Sequence, residues 1–377
     1  MEKIRFDNFV SLNRGFDLPD DKIIEGKYPV IASTSIKAYH NQFKVKAPIV
    51  VTGRSGSLGK VQYVDEDGWP LNTALYAKDF HGNNPKYVYY FLQTMHLEQY
   101  NAGAGVPTLN QNHLHSLKIL IHEFPTQQKI ASILSAYDNL IQNYKKQIEA
   151  LQTGTCELYK EWFVRFRFPG WQNAKFENGI PEGWKVERIG NFGEVIGGGT
   201  PSTENEEYWD GDIPWLSPVD LSDNTNVYVS RGAKNITELG LRKSSAKMMP
   251  AETVLLSSRA PVGYVALAKN PICTNQGFKS VVCDTAKIQP LYLYFYFKMN
   301  KNYLQSIASG ATFPELSGSM MKKLKILLPP MKVQQEFSKR ANIFIAKAEL
   351  LSEQITNLTQ QRDLLLPRLM SGKLEVE

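Results

Sequence analysis

The sequence contains an internal repeat. Residues 103–163 recur at 310–370 with a constant shift of 207 residues and without a gap. A period of about 200 residues is far longer than the repeats of solenoids or propellers, so the repeating unit is a whole domain with its connector. The chain is therefore expected to be built as domain, helix, domain, helix.

The length and composition fit this plan. A chain of 377 residues can supply two domains, each with its own core, and an extended element. An apolar content of 42% and a charged content of 21% are typical of a globular protein. The net charge of +6 favours a polyanionic partner such as nucleic acid, although the excess is small for this length.

The cysteines and the apolar runs predict a cytoplasmic protein. Cys156, Cys273 and Cys283 have neither Cys-x-x-Cys spacing nor a neighbouring histidine, so we expect no zinc site and no disulfide framework. No apolar signal core follows Met1, and the longest aromatic-aliphatic run, at 291–297, is too short to cross a bilayer. Membrane insertion is therefore not expected.

Each connector carries an apolar stripe with steps of three and four residues, the heptad pattern of a coiled coil. A helix over residues 126–163 would be about 57 Å long. The stripe of the first connector contains Ile130, Leu134, Tyr137, Ile141, Tyr144, Ile148, Leu151 and Leu158. The stripe of the second contains Phe337, Phe344, Leu351, Ile355, Leu358 and Leu365.

Two such stripes are buried most simply against each other. Parallel pairing would crowd both domains at one end, so we expect an antiparallel pair with a domain at each end. The alternative is that each helix packs on its own domain as an ordinary core element. Thr155 and Arg362 interrupt the stripes at equivalent positions, and Pro367 is expected to kink or end the second helix near Leu366.

The fold class is therefore mixed α/β, with two similar globular domains separated by two long antiparallel coiled-coil helices and an internal pseudo-two-fold repeat. The expected boundaries are 1–123 and 171–328 for the domains, and 124–170 and 329–377 for the helices. Arg54 aligns with Arg259 at a shift of 205, and Asn72 aligns with Asn275 at a shift of 203. The segment 7–9 matches 190–192 at a shift of 183, so the second domain has gained about twenty residues in its loops.

Three segments resemble catalytic patterns, but each lacks a required feature. Asp20 and Glu25-Gly26-Lys27 are too close together to place two carboxylates of a nuclease on one metal ion. The loop 52–60 differs from a phosphate-binding loop because its first glycine is one residue too distant and Val61 replaces the magnesium-binding hydroxyl. Pro329-Pro330 lacks the flanking residues of an amino-methyltransferase motif. A duplicated enzyme would repeat its catalytic set, whereas all six histidines lie in the first half of the chain.

What the two copies share is an arginine in a loop of small residues, an asparagine and a Gly-x-x-x-Pro-x-Leu loop. Such side chains suit hydrogen bonds to phosphates and base edges, although each could equally be an ordinary turn residue. The candidate DNA-binding residues are Arg54, Ser55, Ser57, Lys60, Thr108, Thr200, Ser257, Ser258, Arg259, Thr312 and Phe313.

The pattern resembles the specificity subunit of type I restriction-modification systems over nearly the whole chain. The most specific parts are the segments 125–130 and 330–335 with their Gln-Gln pairs, the long helices behind them, the opening Gly183-Trp184-Lys185-Val186 and the tail 365–374. The first domain lacks a Gly-Trp-Lys opening, which leaves the start of its first strand open.

The resemblance implies a non-catalytic subunit that binds double-stranded DNA, each domain reading one half of a split target. The helices would set the spacing between the halves and dock two methyltransferase subunits, with restriction or translocase subunits in some complexes. S-adenosylmethionine, ATP and magnesium would belong to those partners, which would flip the adenine that they methylate. Two alternatives stay open: a recognition module of another DNA-modifying defence assembly, and a coiled-coil scaffold without a role on DNA.

Overall fold

The computed structural model describes residues 1–103, 105–222, 224–259, 261–310 and 314–376. The chain divides into two compact units. The first unit consists of Met1–Tyr144 together with the described residues from Gln354 onward, and the second consists of Lys145–Glu353. Each long helix contributes to both units.

The first unit is built on a four-stranded sheet, a three-stranded sheet and a two-stranded ribbon. Its strands are β1 (Glu2–Arg5), β2 (Ser11–Arg14), β3 (Tyr28–Ile31), β4 (Ile36–His40), β5 (Ile49–Gly53), β6 (Val61–Val64), β7 (Trp69–Pro70), β8 (Ala74–Asp79) and β9 (Lys118–Ile121). Its helices are α1 (Phe6–Phe9), α2 (Pro85–Thr94) and α3 (Gln111–His115), and the first long helix, α4, spans Phe124–Phe163. The strand orders are β2-β8-β5-β6, β4-β3-β7 and β1-β9.

The second unit repeats these sheets with additions. Its strands are β10 (Phe176–Glu177), β11 (Ile180–Pro181), β12 (Lys185–Arg188), β13 (Gly193–Gly197), β14 (Trp209–Leu216), β15 (Tyr228–Val229), β16 (Lys234–Ile236), β17 (Val254–Leu256), β18 (Val265–Ala268), β19 (Cys273–Thr274), β20 (Lys279–Cys283) and β21 (Lys325–Leu328). Its helices are α5 (Glu238–Arg242), α6 (Pro290–Met299), α7 (Lys301–Ile307) and α8 (Gly318–Lys323), and the second long helix, α9, spans Met331–Met370. The strand orders are β13-β20-β17-β18-β15, β16-β14-β19, β12-β21 and β10-β11.

The internal repeat is confirmed in the strand pairing as well as in the strand order. The ribbon β1-β9 pairs Arg5 with Lys118, and the ribbon β12-β21 pairs Arg188 with Lys325, positions related by shifts of 183 and 207 residues. The pairs Thr52–Val61 and Leu256–Val265 of the central sheets are related by a shift of 204. The expected mixed α/β fold with a duplicated plan is therefore correct.

Both long helices are part of both cores. In the first unit, Ile130 and Leu134 of α4 and Leu369 of α9 are buried among Phe9, Tyr87 and other apolar side chains. In the second unit, Tyr159 and Trp162 of α4 pack with Phe337 of α9 beside α6. The helices thus form the expected long pair and also serve as core elements, so the two interpretations of the stripes are not exclusive.

Within each unit the helical segments run in opposite directions, which confirms the antiparallel prediction. In the first unit, Arg362 Nη1 lies 2.6 Å from Asp138 Oδ1, and Leu369 lies in one cluster with Ile130, eight residues earlier on α4. In the second unit, the guanidinium of Arg340 lies 5.5 Å from the ring of Trp162, and Ala348 lines one cavity with Leu151, eleven residues earlier on α4 than Trp162. Residue numbers therefore rise along one helix as they fall along the other.

The buried stripe follows the heptad pattern with local departures. Ile130, Leu134, Ile141, Phe337 and Leu351 are buried. A second group is half-buried: Tyr137, Tyr144, Ile148, Leu151, Leu158, Ile355, Leu358 and Leu365. Phe344 is 37% exposed, and the next residue, Ile345, takes the buried position with 5% exposure. A helix that packs against a partner helix and a domain core buries a face wider than a two-position seam, which moves the most buried residue by one.

The expectation that the second helix ends near Leu366 is wrong. Helix α9 continues through Pro367 to Met370. Proline removes one backbone hydrogen bond, and it does so here in the last turn of the helix, where Leu366, Leu369 and Met370 are buried in the first unit's core. Tertiary packing of the last turn therefore outweighs the local preference to end the helix.

A buried glutamine attaches each long helix to a domain helix. Gln127 accepts the backbone N–H of Asn84 at 3.0 Å, and its amide donates to the carbonyl of His122 at 2.9 Å. Gln334 repeats this arrangement with the N–H of Gln289 at 2.9 Å and the carbonyl of Pro329 at 2.7 Å. Since Asn84 and Gln289 precede α2 and α6, each glutamine satisfies a helix N-terminus and fixes the first turn of a long helix.

Candidate nucleic-acid interface

Two loops of the first unit meet at the end of β5. Arg54 donates its backbone N–H to the carbonyl of Thr73 at 2.8 Å and accepts the N–H of Leu109 at 2.8 Å. Ser55 forms an isolated bridge with Thr108, and Gly56 donates to the carbonyl of Pro107 at 2.9 Å. The loop 54–60 and the loop 101–109 are therefore held together as one surface by backbone hydrogen bonds.

Polar side chains and glycines shape this surface. The side-chain oxygen of Asn101 accepts the N–H groups of Gly103 and Thr108, each at 2.9 Å. A Cβ on Gly53 would lie 1.9 Å from the carbonyl oxygen of Ser57, so only glycine allows the loop to fold back on the strand. Gly59 has a φ of +87°, and Gly263 at the matching place in the second unit has a φ of +100°.

The second unit joins its corresponding loops in the same way. Ser258 donates its N–H to the carbonyl of Gly277 at 2.7 Å and accepts the N–H of Leu316 at 2.9 Å. Arg259 forms an isolated bridge with Glu315, and Lys279 Nζ lies 3.1 Å from Glu315 Oε1. The predicted residues Thr312 and Phe313 lie in this loop but outside the described residues.

These hydrogen bonds correct the alignment of the two arginines. Arg54 and Ser258 make equivalent bonds at a shift of 204, and Ser55 and Arg259 form equivalent bridges at the same shift. Arg259 therefore matches Ser55 rather than Arg54. Successive side chains of an extended segment point to opposite faces. Arg54 and Arg259 occupy adjacent positions of the repeated unit, so each points to a different face of its loop. The alignment by identical letters was one residue out of register.

The candidate side chains differ in how free they are. Arg54 is half-buried, and its Nη1 lies 3.4 Å from the carbonyl of Asn72. Arg259 is also half-buried, and its guanidinium makes no hydrogen bond or ion pair with the residues that the structure describes. Ser57 and Lys60 are exposed, whereas Ser55 and Thr108 are half-buried. Arg259, Ser57 and Lys60 are thus the candidates most available to a ligand.

Four hydroxyl candidates already have partners within the protein, and one of them, Thr108, donates to the carbonyl of Val106 at 3.0 Å. Ser257 is fully buried, donating to the carbonyl of Pro261 at 2.7 Å and accepting the N–H of Tyr264 at 2.8 Å. Ser258 is fully buried and donates to the carbonyl of Gly277. Thr200 bonds to the side chain of Gln276. We leave Ser257 and Ser258 out of the interface because neither hydroxyl reaches the surface.

The remaining reactive side chains among the described residues are metal-ligating groups, one serine–histidine pair and three thiols. No cluster of metal-ligating side chains occurs there. Ser11 Oγ lies 2.7 Å from His81 Nε2, but His81 Nδ1 is 3.9 Å from Asp79 Oδ2, beyond hydrogen-bond distance. Burial raises the pKa of all three thiols, to about 11 for Cys273 and about 12 for Cys283, so they stay protonated near neutral pH.

Sequence reasoning missed a pair of cations that both units place on a ribbon. Arg5 faces Lys118 across β1-β9, and Arg188 faces Lys325 across β12-β21. All four side chains are exposed. These cations are visible in the sequence, because both Leu-Lys-Ile-Leu segments contain the lysine and an arginine precedes both of the matching segments 7–9 and 190–192. The sequence does not show that they face each other, because each arginine lies more than a hundred residues from its lysine.

Among the residues that the structure describes, no helix is long and apolar enough to span a membrane.

Comparison with known proteins connects this geometry to one family. A model of the type I restriction modification DNA specificity domain matches residues 2–153 and 181–360. The chain is 44% identical over 182 residues to the type I restriction enzyme MjaIX specificity subunit of Methanocaldococcus jannaschii, covering 47% of this chain and 41% of that protein. The match thus spans less than half of that relative's length.

Two further matches cover most of the chain. Identity is 26% over 318 residues to the putative type I restriction enzyme MjaX specificity subunit of M. jannaschii, covering 81% of this chain and 72% of that protein. The crystal structure of a type I restriction-modification S subunit from M. genitalium shares the fold with a TM-score of 0.66 at 18% identity, covering 98% of this chain and 96% of that one.

Proposed function

Because the chain belongs to the type I restriction modification DNA specificity family, we propose that it is the DNA-recognition subunit of a type I restriction-modification complex. Each globular domain reads one half of a bipartite double-stranded target. In this proposal the recognition domains occupy 1–123 and 171–328, and the helical regions 124–170 and 329–377 set the spacing between the two halves.

One observation carries the proposal. The two units repeat the same strand order and the same ladder registers, while the loops at the ends of β5 and β17 present different side chains. Loop 54–60 offers Ser57 and Lys60, whereas the equivalent place in the second unit offers Arg259 beside Glu315. A constant scaffold with different loop chemistry suits two different half-sites, because hydrogen bonds to base edges determine which sequence is read.

The chemistry belongs to partner subunits in this proposal. Two modification subunits bind the helices and use S-adenosylmethionine to methylate an adenine in each half-site. Restriction subunits, which use ATP and magnesium, join them in the complete system. Among the described residues, the two units share no catalytic set, the thiols are protonated and the Ser11–His81–Asp79 series is incomplete. These observations support the proposal that the chain recognises DNA without acting on it.

The test is to express the chain with candidate modification subunits from its source organism, in a host without other adenine methylation. Sequencing that detects methyladenine should yield one bipartite motif, and removal of this chain should abolish it. A chain of another defence assembly would give no such motif with those subunits, and a pure scaffold would give methylation whose sequence is unaffected by loop substitutions. Either result would contradict the proposal.

A further inference from the structure

The two ribbons carry like charges directly opposite each other. In β1-β9 the Cα partners are Arg5 and Lys118, and in β12-β21 they are Arg188 and Lys325. Like charges at directly opposed positions of an antiparallel pair destabilise it. The chain accepts this unfavourable pairing twice, at positions related by the internal repeat.

Neighbouring carboxylates neutralise the second ribbon only in part, through the charge of Glu187 beside Arg188 and Lys185. Neither Arg188 nor Lys325 makes an ion pair within the described part of the chain. The carboxylate of Glu187 instead accepts the backbone N–H of Arg188 at 3.0 Å and the amide of Asn191 at 2.5 Å. Helix α8 adds the exposed Lys322 and Lys323 just before β21. With Lys185, which is also exposed on β12, the second ribbon and the end of α8 carry five exposed cations.

The first ribbon is partly neutralised. Arg5 forms two hydrogen bonds to the carboxylate of Asp7, at 2.8 and 3.0 Å. Burial lowers the pKa of His115, which stands where the second unit has Lys322, so this position is uncharged near neutral pH. The second unit has Gly190 in place of Asp7, and Arg188 has no such partner there. Each ribbon thus carries one pair of facing cations, but the arginine of the first ribbon is bonded to Asp7 whereas the arginine of the second has no equivalent partner.

We propose that these ribbons bind DNA backbone phosphates next to each half-site, independently of sequence; this inference rests on the proposed function. The location supports it, because loop 101–109 leads through α3 into β9, and the loop before α8 leads through α8 into β21. The repetition supports it as well. Phosphates are the same at every sequence, so their contacts can be repeated in both units while the base-reading loops differ.

The experiment measures the salt dependence of binding by the full chain to a labelled random-sequence DNA duplex. The variants are Lys325→Gln and Arg188→Gln, with Lys347→Gln, an exposed lysine of α9, as the matched charge control. Each phosphate contact contributes about −0.9 to the slope of log binding constant against log salt concentration. We expect the slope to become less negative by about that amount for each ribbon cation removed, and to be unchanged in the control.

The first ribbon supplies an independent test. Asp7→Asn removes the carboxylate that engages Arg5, so binding should strengthen and the slope should become more negative. Lys118→Gln should have the opposite effect. If Asp7 only balances charge within the protein, Asp7→Asn will leave the slope of binding against salt concentration unchanged. That result would contradict the inference.

The outcomes separate this inference from the function on which it rests. A wild-type chain that binds no DNA overturns both. Binding with identical slopes in the wild type and the ribbon variants overturns the phosphate contacts alone. Identical slopes combined with loss of the modification subunits from the complex would assign the ribbons, with the exposed aliphatic side chains of Leu120 and Val186 beside them, to a protein contact and would also overturn the inference.

Discussion

At the scale of single residues, recognition depends on which side chains are free to reach a ligand. The guanidinium of Arg259 makes no hydrogen bond or ion pair in the described part of the chain, whereas the guanidinium of Arg54 donates to the carbonyl of Asn72. The two arginines do not occupy equivalent positions, because Arg259 matches Ser55 in the hydrogen-bond pattern. Their contributions to DNA binding should therefore differ.

Arg259→Ala should weaken binding to the cognate DNA by ~1–3 kcal/mol and relax only one half of the motif, as expected for loss of a bidentate base contact. Arg54→Ala should act on the other half and have the smaller effect. The measurement is the methylated motif, together with affinities for duplexes changed in one half-site. Equal weakening on every sequence would make both arginines phosphate contacts, and Ser258→Ala, at a buried position, is the control for loop structure.

Two histidines predict a pH dependence confined to the first unit. Burial lowers the pKa of both His115 and His122; nearby Asp7 opposes the shift at His115. A folded pKa below the unfolded value of about 6.5 means that the unfolded chain binds more protons, so stability falls as the pH drops below that value. Protection of backbone amides from hydrogen exchange, corrected for the intrinsic exchange rate at each pH, should fall on acidification in the first unit first.

The variant with His115→Gln and His122→Gln should lose this early acid response. The second unit contains no histidine and is the internal control. An equal loss of this protection in both units between about pH 7 and pH 5, the range around the ordinary histidine pKa, would contradict the assignment.

At the scale of elements, the long helices are attached by buried polar contacts as well as by apolar packing. Gln127 and Gln334 bond to the backbone before α2 and α6. In the first unit, Arg362 and Tyr90 both bond to Asp138, at 2.6 and 2.5 Å. Burial lowers the pKa of Arg362, but hydrogen bonds to Asp138 and Asp363 more than offset this, so its pKa is raised and the guanidinium stays charged.

Gln127→Ala and Gln334→Ala should each reduce the free energy of unfolding by ~1–3 kcal/mol, because each leaves buried backbone groups without a partner. Denaturant titration measures the change. Gln128→Ala and Gln335→Ala change the adjacent, exposed glutamines of the same helical turns and should be nearly neutral. Similar losses in all four variants would point to helix propensity instead of the buried hydrogen bonds.

The network of Tyr90, Asp138 and Arg362 has an apolar counterpart in the second unit, where Phe295, Ile345 and Thr155 line one small cavity. Arg362→Ala should cost ~1.5–3 kcal/mol, because it leaves the half-buried carboxylate of Asp138 with one fewer charged partner. The triple change Tyr90→Phe, Asp138→Ile and Arg362→Thr copies the second unit and should recover most of that stability. A triple variant as unstable as the single one would show that the surroundings require the charged pair.

At the scale of the whole molecule, the proposed role of the helices is to fix the spacing of the half-sites. Each long helix has 40 residues and is thus about 60 Å long. Asp138 faces Arg362, so in this antiparallel pair Gln142 lies opposite the turn that contains Leu358. Glu349, which the sequence repeat relates to Gln142, is not the facing residue.

Inserting one heptad after Gln142 and another after Asn357 should lengthen both helices by about 10 Å, or about three base pairs, while keeping the apolar register. The recognised half-sites should stay the same, and the unspecified spacer between them should grow. Methylation mapping of the double-insertion variant measures the spacer. An active variant with an unchanged spacer would show that the helices do not set the spacing.

The sequence by itself determined the features that repeat locally or by simple duplication. The constant shift of 207 residues fixed the domain-helix-domain-helix plan, and heptad periodicity identified both long helices and most of their buried stripe. These features depend on neighbours along the chain, where pattern is visible.

Only the tertiary structure decided which residues face each other. The shift of 204 that matches Arg259 to Ser55, the burial of Ser257 and Ser258, and the cation pairs of the ribbons all depend on strands distant in sequence. A one-residue change of register moves a side chain to the opposite face of a strand, so matching letters could not settle it. Likewise, burial of the last turn of α9 in a core carried the helix past Pro367, a choice that local propensity opposes.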